Sequence, residues 1–248
     1  MPAGPPERPA LPDLPVVEAI PAVRHALNEQ RRAVLVAPPG AGKTTVIPLA
    51  LLDETWLGGQ RIVMLEPRRL ATRAAARRMA DTTRTQVGEL VGYQTRDERR
   101  IGSGTVIEVV TEGVLTRRLQ NDPELPGVGL VIFDEVHERN LTTDLGLALA
   151  LDVASTIRPD LRLLAMSATP DVEGLTALLD APVIESDGRM FDVEMHWAPR
   201  SPAGGGRNAG ARRGRGPSRP GPGGGNRIEP DVVAVVQRAL REQAGDVL

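Results

Sequence analysis

The sequence predicts an α/β fold, a mostly parallel sheet with helices on both faces. Three observations predict it. Five short apolar runs, rich in β-branched residues, recur between Ala33 and Met166. Segments with apolar residues at helical spacing lie between them. Each run ends at a polar or glycine-bearing cluster. Such runs read as buried parallel strands, and strands alternating with helices build βαβ units.

The elements follow in order. Residues 1–14 hold five prolines and few hydrophobes and are expected to be disordered. From Val16 to Gln30 the residues Val16, Ile20, Val23 and Leu27 fall at helical spacing. The strands are Ala33–Ala37, Ile62–Leu65, Val106–Val110, Leu130–Phe133 and Leu161–Met166. Helices are predicted over Thr44–Asp53, Arg68–Asp81, Gly113–Asn121 and Leu141–Ile157, then Val172–Leu179 before a strand-like Pro182–Ser186. Right-handed crossovers place every strand's C-terminal end on one edge, where open α/β sheets bind ligands. The main domain is therefore expected to span 15–200. Residues 201–227 carry ten glycines and four prolines among arginines and read as a disordered linker or insert. Helical spacing returns over Val232–Gln243, and 228–248 reads as the start of a further domain.

Composition narrows the chemistry. The 248 residues contain no cysteine, which excludes disulfides, thiolate zinc sites and cysteine nucleophiles. Three histidines are too dispersed to suggest a metal cluster, and aromatics make up only 2%, so the core must be built from Leu, Val, Ile and Ala. No apolar run spans a bilayer, and the Pro-rich start, without a basic-then-apolar pattern, is not expected to be a signal peptide. A cytoplasmic protein without membrane partners is the expectation. The cations are 29 arginines and one lysine, Lys43. Seven arginines and no acid fall in 200–227, so part of the positive charge resides in a tail.

That single lysine sits in Ala37-Pro38-Pro39-Gly40-Ala41-Gly42-Lys43-Thr44-Thr45, after a strand and at the start of a helix. The phosphate-loop pattern Gly-x4-Gly-Lys-Ser/Thr fits, except that Ala37 replaces the first glycine. Gly40 and Gly42 let the backbone curl so that its N–H groups face phosphate oxygens, with Pro39 and Ala41 completing the cradle. The helix N-terminus adds partial positive charge. Lys43 would reach the β/γ-phosphates and Thr44 would hold Mg²⁺. The bland alternative is a Gly-rich turn with an incidental lysine; the strand before and helix after favour a nucleotide. The run Leu130–Phe133 delivers Asp134 and Glu135 at its exit. Asp134 would serve Mg²⁺ through water, and Glu135, also near the metal, would orient and deprotonate the attacking water. Together these segments specify an Mg-dependent NTPase but not its task.

The remaining strand exits add a resemblance. Asp134-Glu135-Val136-His137-Glu138-Arg139 resembles the second motif of DEAH-box helicases, with Val136 where the family name has Ala. Ser167-Ala168-Thr169 matches their third motif. Glu66-Pro67-Arg68-Arg69-Leu70-Ala71 resembles motif Ia, and Val110-Thr111-Glu112-Gly113-Val114-Leu115 resembles motif Ib. The wording around Glu66 and the stretch Asp122–Leu125 are most similar to the bacterial HrpB-type members. The resemblance implies a RecA-like domain that binds ATP and one side of a single strand, RNA by family. It implies that Arg69 and Thr111 hold the nucleic-acid backbone and that Arg78 stacks on adenine. It implies that His137, Ser167 and Thr169 couple nucleotide state to strand grip. Guanidinium groups suit both tasks; a solvated helix face is the preferred account of Arg73 and Arg77.

In such helicases ATP lies between two RecA-like domains, the second supplying arginine fingers. No copy of those later motifs occurs in the 248 residues. The chain alone is thus expected to bind ATP weakly, hydrolyse it slowly and not unwind duplexes, the second domain being supplied in cis or in trans. The alternatives are a partner-dependent, nucleotide-gated RNA-binding module and an ATPase with no nucleic-acid role.

Overall fold

The computed structural model describes residues 11–188, Met195, Trp197 and 228–242. Residues 1–190 and 191–248 form separate units. The first opens with a 3₁₀ turn at Pro15–Ala19. It continues through α1 (Ile20–Glu29), β1 (Arg32–Val36), α2 (Lys43–Ala50), β2 (Arg61–Leu65), α3 (Arg69–Thr82), β3 (Val91–Gln94), β4 (Arg99–Arg100) and β5 (Ile107–Val110). Then follow α4 (Glu112–Asn121), β6 (Val128–Phe133), α5 (Leu141–Thr156), β7 (Arg162–Ser167), α6 (Glu173–Leu179) and β8 (Val183–Glu185). In the second unit the described helix is α7 (Glu229–Glu242), with Val232, Val233, Val235, Val236 and Leu240 exposed.

The strands form one eight-stranded sheet in the order β4-β3-β5-β2-β6-β7-β1-β8. The pairs are parallel except β3–β4, which is antiparallel. Alternation along each strand feeds two cores. Leu35, Ile62, Met64, Ile132 and Met166 face one way and pack with α1, α2 and α3 through Leu27, Ile47 and Met79. Val34, Val63, Leu65, Val131 and Phe133 face the other way and pack with α4 and α5 through Leu115, Leu119 and Val153. Burial on both sides explains why these strands are apolar throughout rather than alternating with polar residues. The cores are aliphatic, as the composition requires, with Phe133 the one aromatic among the largest fully buried side chains.

The structure departs from expectation in a few places. Residues 11–14 do not stand free: Leu11 and Leu14 pack against the first core. The segment expected as one helix from Val16 begins as a 3₁₀ turn, with Pro21 setting the first turn of α1. The helix expected to Asp53 stops at Ala50. The hairpin β3–β4 was not foreseen. It depends on Gly92, where an added Cβ would lie 2.4 Å from the Arg100 carbonyl oxygen. The expectations for residues 1–10, 201–227 and 243–248, and most of 189–200, lie outside the described residues.

One acid lies under α4. Glu108 on β5 is 2% exposed and takes two charged partners, Arg61 at 2.6 Å and Arg118 at 2.7 Å. Arg118 also donates to Gln94 Oε1 at 2.8 Å. A carboxylate is kept in such a place only by pairing of this kind.

Candidate functional site

The strand order decides what meets at the C-terminal edge. β7 lies between β6 and β1, so the loops leaving β6, β7 and β1 adjoin. The β1 exit bonds directly to the β7 exit, Ala37 N–H donating to the Ser167 carbonyl at 3.0 Å. Asp134 N–H at the β6 exit donates to the Leu65 carbonyl of β2 at 3.0 Å.

The loop 37–44 curls at two glycines. Gly40 and Gly42 hold φ of +80° and +94°, in the region that favours glycine. Gly42 caps α2, and an added Cβ there would lie 2.7 Å from Leu14 Cδ1. Ala37 is fully buried and keeps negative φ, which is why the first glycine of the pattern is dispensable. The loop is backed by the N-terminal turn, Val16 N–H donating to the Ala41 carbonyl at 3.1 Å.

Here the two sequence segments meet. Lys43 is 5% exposed, and its Nζ lies 2.8 Å from Glu135 Oε1. Thr44 Oγ1 donates to Asp134 Oδ2 at 2.5 Å. Asp134 is fully buried; burial pushes its pKa up to about 6, against the opposing pull of the Thr44 hydroxyl and the Lys43 charge. Glu135 stands in left-handed backbone at φ +53°, a conformation that costs an L residue about 1–2 kcal/mol. The turn it opens, Val136–Glu138, carries His137, whose Nδ1 accepts from Ala168 N–H at 3.2 Å. That bond places the neutral ring's proton on Nε2. The 3.3 Å approach of Nδ1 to Glu135 Oε2 becomes an ion pair only on protonation. Ser167 Oγ bonds the Thr169 carbonyl at 2.9 Å and accepts Thr169 N–H at 3.1 Å. His137, Ser167 and Thr169 are thus joined, one turn leaning on the other.

Beside this lies an open pocket of about 350 Å³, lined among others by Thr44, Thr45, Glu66, Arg78 and Glu135. Arg78 is therefore on the same side as the phosphate loop, at the far end of α3. Arg69 and Thr111 line a different groove of about 590 Å³, with Arg96 and Arg117. Thr111 N–H donates to the Gln94 carbonyl at 3.2 Å, tying that groove to the hairpin. Arg73 is not merely solvated: it pairs with Glu98 at 3.1 Å.

Two residues here received no role from the sequence. Glu66 ends β2 as Asp134 ends β6. It is 3% exposed, and its pKa is raised to about 8, first by burial and then by the Asp134 charge. The signal was present, a lone acid at the exit of an apolar run. Glu138 pairs with Arg68 at 2.6 Å and links the β6 exit to the β2 exit.

The donors fit a nucleotide with Mg²⁺. Thr44 and Asp134 present hard oxygen atoms, and Lys43 offers a buried ammonium at the N-terminus of α2. Among the described residues no group of three or more acids or histidines could hold a metal. No described helix is long and apolar enough to cross a membrane.

Residues 18–178 match the family model described as DEAD/DEAH box helicase. The chain is 51% identical over 187 residues to the ATP-dependent RNA helicase HrpB of Escherichia coli K12, covering 75% of this chain and 23% of that protein. It is 36% identical over 190 residues to the ATP-dependent RNA helicase HrpA homolog of Haemophilus influenzae, covering 75% of this chain and 14% of that one. The crystal structure of E. coli DEAH/RHA helicase HrpB superposes with a TM-score of 0.77 at 43% identity, over 94% of this chain and 27% of that chain. The chain thus spans about a quarter or less of the length of these relatives.

Proposed function

The chain belongs to the DEAD/DEAH box helicase family, and from that membership we propose that it is the ATP-binding and ATP-hydrolysing first RecA-like domain of a DEAH-type RNA helicase. Its substrates are Mg-ATP and single-stranded RNA. The observation that carries this is the contact between two segments some ninety residues apart, Lys43 on Glu135 at 2.8 Å and Thr44 on Asp134 at 2.5 Å. A phosphate loop beside an acid pair at the edge of a parallel sheet is the arrangement that phosphoryl transfer to water requires.

Each residue then has a task. Lys43 exchanges Glu135 for a phosphate oxygen when the triphosphate enters. Thr44 and Asp134 would hold Mg²⁺, which would supply positive charge against the phosphate oxygens. Glu135, released from Lys43, holds a water and takes its proton as the water oxygen bonds to the γ-phosphorus and the bond to the bridging oxygen breaks. Arg78 stacks on the base, and Arg69 and Thr111 hold the RNA backbone. The contact of His137 with the 167–169 turn transmits the state of the nucleotide to the strand-holding side.

A second RecA-like domain, in cis or in trans, supplies the opposing charges and the other half of the strand grip. An arginine finger is worth ~10³–10⁵ in rate in related chemistry, so the 248 residues alone hydrolyse ATP slowly and do not unwind. The test is a pair of binding titrations on the intact chain, with a fluorescent ATP analogue and with a labelled single-stranded RNA. Lys43→Ala is expected to abolish nucleotide binding and spare RNA binding, and Arg69→Ala the reverse. Loss of neither, or of both together in each variant, overturns the assignment. Strand separation driven by ATP with this chain alone overturns the dependence on a second domain.

A further inference from the structure

An acid from a neighbouring turn holds Arg69, which lines the groove with Thr111. Asp97 lies in the turn between β3 and β4, and its Oδ2 is 2.5 Å from Arg69 Nη1. Both side chains are more than half exposed. The turn is held in place independently of that contact. Glu98 N–H donates to Thr95 Oγ1 at 3.2 Å, Thr95 N–H donates to the Glu98 carbonyl at 2.8 Å, and Glu98 pairs with Arg73 at 3.1 Å. Arg69 and Arg73 are four residues apart on α3 and share a face. The turn thus sets two neighbouring carboxylates on two neighbouring guanidinium groups.

We propose that Asp97 occupies the position of a backbone phosphate and competes with RNA for Arg69, so that this turn sets the affinity of the strand-binding groove. The inference rests on the assignment of Arg69 to the RNA backbone. A carboxylate presents two oxygens to a guanidinium as a phosphate does. A strand entering the groove must displace Asp97 from Arg69. The Glu98–Arg73 pair keeps the displaced turn close, so the competitor is held at high local concentration. Because the pair is exposed, each partner is rehydrated easily and the competition is modest. The exchange also alters the salt response, because a carboxylate freed by RNA takes up a cation while the strand releases one.

The experiment measures binding of a labelled oligouridine by fluorescence anisotropy, with the intact chain, from about 50 to about 200 mM salt. Asp97→Asn is expected to tighten binding roughly two- to fivefold, the range of an exposed ion pair, with a steeper salt dependence. Nucleotide affinity is expected to stay unchanged. In an Arg69→Ala background the same substitution is expected to give no gain. An equal gain in both backgrounds overturns the proposal, because the effect is then one of net charge alone. Unchanged or weaker binding by Asp97→Asn, where Arg69→Ala does weaken it, also overturns the proposal and leaves the RNA assignment intact. If Arg69→Ala has no effect on RNA binding, the underlying assignment fails instead.

Discussion

Replacing Glu66 by Gln is expected to stabilise the nucleotide-free fold increasingly as the pH rises. Glu66 is 3% exposed, and its Oε1 accepts one long bond, from Arg68 N–H at 3.4 Å. Burial, and then the negative charge of Asp134, raises its pKa from 4.5 to about 8. In the unfolded chain the carboxyl ionises near its ordinary value, whereas in the fold it keeps its proton until about pH 8. The folded state therefore binds more protons between those limits, and stability falls as the pH rises through them. With each pKa unit worth ~1.4 kcal/mol, the ionised fold pays on the order of 4–5 kcal/mol at the alkaline end. Glutamine has the same shape and no charge. Urea unfolding without nucleotide or magnesium, followed by circular dichroism from about pH 5 to about pH 9, reads the difference. The two proteins are expected to be similar at the acid end and to diverge by a few kcal/mol at the alkaline end. Parallel curves across that range, or a variant less stable than the parent at high pH, would refute the reasoning.

Three further substitutions probe the fold around the site. Arg118→Ala leaves Glu108 buried with Arg61 alone and is expected to cost about 2–3 kcal/mol in chemical denaturation. Glu108→Leu, which removes the buried charge itself and leaves two arginines able to reach water, is expected to cost less; the opposite ranking would contradict the account of this cluster. Gly92→Ala drives a Cβ to 2.4 Å from the Arg100 carbonyl oxygen. Faster amide hydrogen exchange is expected there in Tyr93–Arg100 and not in β6 or β7, with a global loss of about 1–3 kcal/mol.

The central strands were legible because burial on both faces leaves a simple trace: Leu130–Phe133 and Ile62–Leu65 are apolar at every position. The phosphate loop and the acid pair were legible because each needs particular residues at fixed spacing after a strand. Their meeting followed from topology, since β-strand exits share one edge. The hairpin was not legible. Its strand Arg99–Arg100 is two exposed arginines, and its pairing is fixed by contact with Tyr93 and Gln94 rather than by any pattern in its own residues. Glu66 went without a role because a carboxyl at a strand exit reads as solvated until the neighbours that bury it are known. The partners of the surface arginines were equally hidden: Arg68 pairs with Glu138 after β6, while Arg69 and Arg73 pair with Asp97 and Glu98 in the β3–β4 turn.

Whether Thr44 and Asp134 act as one unit is best decided by a double-mutant cycle on magnesium-dependent nucleotide affinity. Titrations with a fluorescent ATP analogue, with and without Mg²⁺, would compare the parent chain, Thr44→Ala, Asp134→Asn and the two combined. Residues in direct contact couple by about 0.5–3 kcal/mol. Each single variant is expected to lose the magnesium dependence, and the combination to be no weaker than the weaker single. Losses that multiply as for independent sites, or a parent chain whose nucleotide affinity ignores magnesium, would contradict the shared site.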